Sequence, residues 1–274
     1  MPCNPHVYGL SNFISVSVGP HLYVLGGSLF DTRSFPLDRP SPSSSAFRFD
    51  FATFSWESLS PMITPRGSFA CAAVPECGKI VVAGGGSRHT MFGAAGSRMS
   101  SVEMYDIVKD EWVALDGLPR FRAGDAVVME LKNGGRWREL GDMWEEGERR
   151  RLGKIVVVDD GSWDCPGIFM LDRGEIFRYD MTSNRWAKES CVPRKASDDA
   201  SVGFVALDGE LHLLTLLSVN DSTDGRRLRQ HKRPTTLLIQ IYHPRKRTWR
   251  SLIAKPPFHQ PLDFRTAVMC TIRL

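Results

Sequence analysis

The histidines are the first side chains to consider for chemistry, because imidazole nitrogens are common ligands of zinc, copper and iron. Two histidines at short spacing would favour a metal site, yet no pair with one or three intervening residues occurs. The seven are scattered along the chain: His6, His21, His89, His212, His231, His243 and His259. This distribution predicts no metal site.

Motifs that bind nucleotides or activate a nucleophile are also missing from the sequence. It contains no Gly-x-Ser-x-Gly elbow, no P-loop and no His-Glu-x2-His motif. Glycines cluster at residues 84–86, but no Gly-x4-Gly-Lys-Ser/Thr string follows them to bind phosphate. A loop between strands is the better interpretation of this cluster. We therefore predict no catalytic residues, no bound cofactor and no enzymatic activity.

Two basic clusters, at residues 226–233 and 245–247, could attract an acidic partner or act as a nuclear-localisation signal. Solvated loops and turns are the simpler interpretation of both. The whole chain carries 35 basic and 31 acidic residues, for a net charge of +4. This balance does not favour nucleic-acid binding.

The composition is that of an ordinary globular protein, with 274 residues, 42% hydrophobic and 24% charged. The six cysteines are scattered without a Cys-x-x-Cys motif, so reduced thiols are expected. The first residues lack the pattern of a signal peptide, and no apolar run approaches the roughly 18 residues of a membrane span. We expect a cytoplasmic or nuclear protein without a membrane partner.

Five of the seven tryptophans recur in one local context, which indicates an internal repeat. An aromatic residue lies seven positions before four of them, and an aspartate usually follows that aromatic residue. Alternating apolar residues before it predict a strand, and the polar residues after it predict a turn into the tryptophan strand. The tryptophans are Trp56, Trp112, Trp137, Trp186 and Trp249, and the preceding pairs are Phe49-Asp50, Tyr105-Asp106, Tyr179-Asp180 and Tyr242-His243.

A second hairpin precedes this one, and in two copies its returning strand ends in a glycine pair. Gly26 and Gly27 follow residues 22–25, and Gly84 and Gly85 follow residues 79–83. Glycine allows a positive φ and a close approach of two backbones. Four strands in a repeat of roughly 50 residues are the arrangement of a β-propeller blade.

The glycine pair, the aromatic-Asp pair and the spaced tryptophan together resemble the kelch repeat over nearly the whole chain. Residues 65–73, 84–89, 100–106 and 118–122 more narrowly resemble the kelch half of a plant F-box/kelch-repeat protein. The resemblance implies an all-β fold, a kelch-type β-propeller. This propeller is expected to be incomplete, with about four blades, a half-blade and a closing strand.

The repeat divides the chain into blades at residues 12–66, 68–122, 125–145 (partial), 152–190 and 200–255, with a closing strand at 265–272. Trp112 and Trp137 are only 25 residues apart, so two strands of the third blade have no sequence. An internal deletion between Gly124 and Asp125 is the preferred explanation, and a degenerate blade is the alternative. The chain starts and ends within a repeat and shows no F-box, so residues upstream of Met1 are expected to be missing relative to the family.

Three long loops follow second strands, at residues 28–46, 87–100 and 218–235, and should emerge on one face. Loops held by a rigid scaffold commonly carry binding residues. Guanidinium and aromatic groups are typical of interfaces, whereas simple solvation of the loops is the alternative. The candidate partner-binding residues are Arg33, Arg88, His89, Phe92 and Arg98.

The family resemblance implies a protein-interaction scaffold, the substrate-binding part of an SCF-type ubiquitin ligase receptor. Its target protein is unknown, and a Skp1-type adaptor would bind only if an upstream F-box exists. A kelch-type oxidase or other kelch enzyme is one alternative, and a truncated, non-functional isoform is another. Kelch copper oxidases share a Cys–Tyr cross-link with His and Tyr ligands, and nitrile-specifier proteins share Glu-x3-Asp-x3-His. The Glu-x3-Asp-x3-His string does not occur here, and the tyrosines fit repeat positions apart from Tyr8, so a metal site is not expected.

Overall fold

The computed structural model describes residues 8–31, 33, 41–86, 99–118, 144, 153–158, 166–195, 202–218, 235–256, 264 and 269–272. Within these ranges the protein has nineteen β-strands, one 3-10 turn at Pro75–Cys77 and no α-helix, so the all-β prediction is confirmed. The chain divides into two compact units, Met1–Glu139 with Ile272–Leu274, and Leu140–Thr271.

Unit 1 contains two four-stranded antiparallel sheets and one smaller sheet. Its strands are β1 (Tyr8–Ser11), β2 (Ile14–Val18), β3 (His21–Leu25), β4 (Ser28–Asp31), β5 (Ser41–Pro42), β6 (Ala46–Asp50), β7 (Ser55–Leu59), β8 (Ala70–Val74), β9 (Lys79–Ala83), β10 (Val102–Asp106) and β11 (Glu111–Leu115). Strands β2, β3, β6 and β7 form blade A, and β8 to β11 form blade B. The smaller sheet has the order β1-β4-β5.

Unit 2 contains two further four-stranded antiparallel sheets, in which each strand pairs with the next along the chain. Its strands are β12 (Lys154–Val158), β13 (Gly167–Asp172), β14 (Glu175–Asp180), β15 (Arg185–Cys191), β16 (Val202–Leu207), β17 (Glu210–Ser218), β18 (Thr235–His243) and β19 (Thr248–Ala254). Strands β12 to β15 form blade C, and β16 to β19 form blade D.

The hydrophobic core of each unit lies between two neighbouring blades. In unit 1, Tyr23 and Leu25 of blade A pack with Ile80, Val82 and Tyr105 of blade B. Unit 2 repeats the arrangement: buried residues of β13 and β14 pack against buried residues of β17 and β18. A single sheet leaves its apolar faces in water, so each blade depends on its neighbour for burial.

The glycine pairs end the second strands of blades A and B with left-handed backbone. Gly27 has φ of 101° and Gly85 has φ of 99°. A Cβ at Gly27 would lie 2.8 Å from the carbonyl oxygen of Ser11, and one at Gly85 would lie 2.9 Å from that of Gly67. Because both the dihedral angle and the contact exclude a side chain, glycine is required at these two positions.

The partial blade at residues 125–145 lies outside the described residues, apart from Trp144. At the end of the chain, where a strand was expected over 265–272, the described residues 269–272 do not form one. Instead the hydroxyl of Thr271 donates a hydrogen bond of 2.8 Å to the carbonyl of Ala206 in β16. This bond links the end of the chain to blade D.

Candidate functional site

The aromatic residue and the tryptophan of each repeat lie directly opposite each other on the third and fourth strands of a blade. They are seven positions apart in the sequence because a four-residue turn joins the two strands. Cross-strand aromatic pairs of this kind stabilise a hairpin. The ring centroids are 5.0 Å apart for Phe49–Trp56, 4.9 Å for Tyr105–Trp112, 5.3 Å for Tyr179–Trp186 and 4.9 Å for Tyr242–Trp249.

The aspartate of the repeat holds this turn. In blade A, Oδ1 of Asp50 accepts a hydrogen bond of 2.7 Å from the backbone N–H of Ala52. Asp106 and Asp180 accept equivalent bonds from the N–H groups two residues later. Hydrogen bonds to the carboxylate form lower the pKa of all three groups. The largest effect comes from Lys79 at Asp106, from the Ser183 hydroxyl at Asp180 and from the N–H of Ala52 at Asp50.

A second feature of the turn was not identified from the sequence. The residue two positions before each tryptophan has left-handed backbone, with φ between 53° and 56° at Phe54, Asp110, Asn184 and Arg247. In blade B the hydroxyl of Tyr105 donates a 2.6 Å hydrogen bond to Asp110, and in blade C that of Tyr179 donates to Asn184. Asp and Asn tolerate this backbone better than other side chains, and their position before Trp was the available signal.

In blade B, the turn residue Asp110 and the repeat tryptophan Trp112 also bind the preceding blade. Asp110 accepts hydrogen bonds from the backbone N–H of Ser60 at 2.9 Å and from its hydroxyl at 3.1 Å. The indole N–H of Trp112 donates to the carbonyl of Ser60 at 2.8 Å. Ser60 directly follows β7 of blade A, so these bonds join blade A to blade B.

In blades C and D the repeat tryptophan likewise contacts a residue that precedes its blade. Trp249 of blade D donates its indole N–H to the hydroxyl of Ser190 at 2.9 Å, and Ser190 lies in β15 of blade C. In blade C, Trp186 stacks on Trp144 at 6.2 Å, and Trp144 also packs edge-on against Phe177 at 5.6 Å. The covering group comes in each case from the segment that precedes the blade along the chain.

A buried ion pair crosses the boundary between blades A and B. Arg66 is fully buried and pairs with Glu103 of β10. Glu103 also accepts hydrogen bonds from the backbone N–H groups of Ile63 at 2.8 Å and Thr64 at 3.0 Å. Gln240, two residues before Tyr242, makes the equivalent contacts to the backbone of Arg194 at 2.9 Å. These polar groups fix the linkers between blades and are not accessible to a ligand.

Most of the candidate partner-binding residues lie outside the described residues. Those are Arg88, His89, Phe92 and Arg98, together with Trp137 of the repeat. Arg33 is described: it is exposed, beyond the end of β4, and its guanidinium lies 3.1 Å from Oδ2 of Asp31. The loop interface therefore stays a prediction from the sequence.

Among the described residues, no group of three or more His, Cys, Asp or Glu side chains is arranged to hold a metal ion. No helix in that part of the chain is long and apolar enough to cross a membrane. Isolated groups are nevertheless perturbed: burial raises the pKa of the Cys71 thiol to about 12 and lowers that of His212. Both shifts reflect desolvation inside a blade.

Each four-stranded sheet has an aromatic hairpin, and blades A and B also have a glycine pair. These features define the protein as a kelch-type β-propeller protein, as the sequence predicted. The kelch motif family matches residues 10–63 and 65–119, which include blades A and B. The F-box/kelch-repeat protein OR23 of Arabidopsis thaliana is 54% identical over 321 residues, covering 100% of this chain and 72% of that protein. The chain belongs to the F-box/kelch-repeat family.

Two more distant relatives are similar to parts of the chain. A second F-box/kelch-repeat protein of Arabidopsis thaliana is 27% identical over 250 residues, covering 79% of this chain and 62% of that protein. The human Kelch-like protein 34 is 35% identical over 113 residues, which are 40% of this chain and 16% of that protein.

The alignment with OR23 is longer than the chain itself. It extends over 321 residues, whereas this chain has 274, so 47 aligned positions have no residue here.

Proposed function

We propose that the chain is a protein-interaction module, the target-binding part of an F-box/kelch substrate receptor of an SCF-type ubiquitin ligase. The observation that carries this proposal is the 54% identity to an F-box/kelch-repeat protein along the entire chain. The proposal assigns no catalytic role to the chain. Stoichiometric copper or iron in the purified protein would contradict it and favour a kelch-type oxidase.

The structure of each unit supports a scaffold role. Hydrogen bonds from Ser60 to Asp110 and from Trp112 to Ser60 hold neighbouring blades in one register. A rigid scaffold can present the connections between second and third strands as binding loops. Arg33 lies in the connection of blade A, and exposed arginines are frequent at the centre of protein interfaces.

Affinity capture from plant extract tests the proposal, with the 274-residue chain as bait and mass spectrometry as the readout. Capture of a target together with a Skp1-type adaptor supports the receptor role. Capture of a target without the adaptor supports the interaction module alone, because a Skp1-type adaptor binds only where an F-box is present. Capture of neither contradicts both.

A pair of charge-reversal variants separates loop binding from general electrostatics. Arg33→Glu changes the connection between β3 and β6, whereas Lys109→Glu makes the same change in the turn at the other end of the neighbouring sheet. We expect Arg33→Glu to reduce target recovery about tenfold or more, as for an interface hot spot, and Lys109→Glu to leave it unchanged. Equal losses in both variants would contradict a binding site in the loops.

We also propose that the protein acts in the cytoplasm or the nucleus. Cys71, Cys77 and Cys191 are free thiols, which agrees with a reducing compartment. A fluorescent fusion of the chain tests this location, and accumulation in the secretory pathway would contradict it.

A further inference from the structure

The outermost strand of blade D has a backbone edge with which no strand in the described part of the chain pairs. The sheet order β16-β17-β18-β19 places β19 last, so its inner edge is bonded to β18 and its outer edge faces away from the sheet. β19 extends over seven residues, Thr248–Ala254, whereas the outermost strands of blades A and B have five. The backbone N–H and C=O groups along such an edge can pair with a further strand.

The segment around this edge is basic throughout. From residue 235 to residue 262, a range that includes β18 and β19, the sequence contains no Asp or Glu. Its cations are all exposed: Arg245, Lys246, Arg247, Arg250 and Lys255. Arg250 pairs with Glu210 of β17, yet 61% of its side chain remains exposed. The cations therefore outnumber the carboxylates of the neighbouring hairpin, Asp208 and Glu210.

The three cations of the turn before β19 are particular to blade D. The equivalent turns are residues 51–54 in blade A, 107–110 in blade B, 181–184 in blade C and 244–247 in blade D. Blades A and C have no cation in this turn, and blade B has Lys109 alone. The backbone does not require the charge, since Asn184 in blade C has φ of 56° and Arg247 has φ of 53°.

The outermost strands of the other blades differ from β19 in charge as well. Each of them contains a glutamate: Glu57 in β7, Glu111 in β11 and Glu189 in β15. β19 contains no acidic residue and follows a turn with three cations. The positive charge is therefore a property of this one edge and not of the repeat.

Exposed apolar side chains lie on both faces of the same strand. Leu252 is 43% exposed and Ile253 is 66% exposed. Successive residues of a strand point to opposite faces, so each face of the edge carries one of them. Side chains of an added strand would pack beside them as cross-strand neighbours. The edge therefore matches a strand that carries apolar residues as well as charge.

Charge distinguishes between the strands that could pair with this edge. Antiparallel pairing with a second copy of β19 would bring the basic turn of one copy close to Lys255 of the other, and like charges across strands are destabilising. Basic residues on an edge commonly prevent such pairing between copies. An acidic strand is instead attracted by the same cations, which increases both its association rate and its specificity.

We propose that the outer edge of β19 binds an extended acidic segment of a partner protein, which pairs with it as a fifth strand of blade D. Backbone hydrogen bonds hold the segment, the cations at residues 245–247 contact its carboxylates, and Leu252 and Ile253 contact its apolar side chains. This inference rests on the proposed role in protein interaction. It adds a surface apart from the connection between β17 and β18, because residues 245–247 follow the other end of β18.

Fluorescence anisotropy with the purified chain and a synthetic peptide tests the proposal without any ligase component. The probe is a fluorescein-labelled peptide of about ten residues in which Glu and Val alternate. A Lys–Val peptide and a Glu–Gly peptide are the controls, the first with the opposite charge and the second with low β-propensity. We expect saturable binding of the Glu–Val peptide, with both controls at least about tenfold weaker.

Amide hydrogen exchange shows whether the peptide adds to the sheet. The amides on the outer side of β19 become hydrogen-bonded in the proposed complex, and hydrogen bonding slows their exchange. Saturating Glu–Val peptide should therefore slow exchange in residues 248–254, whereas β11, the outermost strand of blade B, should not change. Binding without protection of β19 would contradict strand addition and indicate charge attraction alone.

Replacing the basic turn by the turn of blade C tests the role of charge. Arg245→Thr, Lys246→Ser and Arg247→Asn together reproduce residues 182–184, so the backbone is expected to keep its conformation. This triple variant should bind the Glu–Val peptide about tenfold more weakly, the combined effect of three exposed ion pairs. Its thermal unfolding midpoint, compared with that of the parent, checks that it is folded.

A matched pair of single variants controls for position. Lys246→Ser and Lys109→Ser change the same residue type at the same turn position, in blade D and in blade B. Lys246→Ser should weaken binding about twofold, and Lys109→Ser should leave it unchanged. Ile253→Thr should also weaken binding, whereas Val113→Thr should not, because Val113 is a 49% exposed residue of β11.

Three further results would overturn the proposal. Equal losses in Lys246→Ser and Lys109→Ser show that the peptide does not bind at β19. Tighter binding of a single-stranded oligonucleotide than of the Glu–Val peptide, lost in the triple variant, identifies a nucleic acid as the occupant. Protection of β19 that rises with protein concentration in the absence of peptide identifies a second copy. Since only the chain and the added probe take part, these results are separate from the affinity capture that tests the receptor role.

Discussion

Single side chains in this protein make contacts both within a blade and between neighbouring blades. Tyr105 pairs with Trp112 across two strands and also donates its hydroxyl to Asp110, which in turn accepts two hydrogen bonds from Ser60. Burial and the neighbouring carboxylate of Asp110 raise the pKa of Tyr105, so it remains a donor throughout the physiological range. In blade B the repeat residues therefore form a network of hydrogen bonds in addition to their ring packing.

The hydroxyl of Tyr105 provides the first prediction. Tyr105→Phe removes its hydrogen bond to Asp110 and should lower the free energy of unfolding by about 1 kcal/mol, measured by urea denaturation. Phe49→Tyr is the control, because the corresponding turn position is Phe54, which offers no acceptor side chain. An increase in stability in the control would show that the hydroxyl acts without this acceptor.

The buried ion pair provides the second prediction. Arg66→Met leaves the carboxylate of Glu103 buried without its cation, so we expect a loss of about 3 kcal/mol in the free energy of unfolding. Arg66→Met with Glu103→Gln should recover much of that loss, because Gln240 shows that an amide can hold the linker at this position. A double variant that is less stable than Arg66→Met alone would contradict the assignment of Arg66 and Glu103 as a buried ion pair.

The turn carboxylates provide the third prediction, which concerns pH. Hydrogen bonds lower the pKa of Asp50, Asp106, Asp110 and Asp180 below the ordinary value of 3.8. The folded state thus binds fewer protons than the unfolded state, and its added stability is complete above the ordinary pKa and lost as the pH falls through the lowered values. The urea midpoint should be constant near neutral pH and fall below about pH 4.

Asp106→Asn tests the origin of this pH dependence. The amide oxygen can still accept the hydrogen bonds of Val108 and Lys109, but it does not titrate. The variant should therefore show a smaller fall of the urea midpoint in acid than the parent. An unchanged fall would place the responsible groups elsewhere.

At the scale of the strands, backbone geometry decides where glycine is needed. Gly85 combines a φ of 99° with a backbone oxygen 2.9 Å from the site of a Cβ, whereas Gly78 has a φ of 61° and open space. Gly78 can therefore accept a small side chain at the cost of its left-handed angle alone. Gly85 cannot, because the linker into blade B occupies the space.

The two glycines provide the fourth prediction. Gly85→Ala should destabilise the protein by about 3 kcal/mol, the combined effect of strain and displacement of the linker. Gly78→Ala should cost about 1 kcal/mol, the ordinary penalty of a left-handed residue. Thermal unfolding monitored by circular dichroism measures both, and equal losses would show that the close contact is relieved without cost.

At the scale of the whole molecule, stability resides in the cores between blades. A core residue such as Leu25 belongs to blade A but packs with residues of blade B, so the two blades of unit 1 share it. In repeat proteins the interface between neighbours is a large part of the stability. A chain with fewer blade contacts is correspondingly less stable, which is the basis of the alternative that this chain is a non-functional isoform.

Core truncation provides the fifth prediction. Leu25→Ala should cost about 2 to 5 kcal/mol and should increase amide hydrogen exchange in the strands of both blade A and blade B. Val108→Ala, at an exposed position, should change neither. A parent chain that shows no cooperative thermal unfolding would contradict the folded scaffold and support the non-functional isoform.

Local sequence patterns were enough to predict the strands and hairpins of the blades. Alternation of apolar residues is local, and the fixed spacing from Tyr105 to Trp112 or from Tyr242 to Trp249 allows only a short turn between paired strands. The ends of the second strands in blades A and B could also be predicted from the glycine pairs, since few other patterns require two adjacent glycines after an apolar strand. These features depend on residues close together in the chain.

Only the tertiary structure decided which polar groups are buried and which aromatic residues are covered. Nothing local marks Arg66 as fully buried, because its partner Glu103 is remote in sequence. Trp144 lies outside the repeat pattern, yet it covers the face of blade C, whereas the repeat residue Trp56 remains largely exposed. Burial depends on which blade packs against which, and that is a property of distant segments brought together by folding.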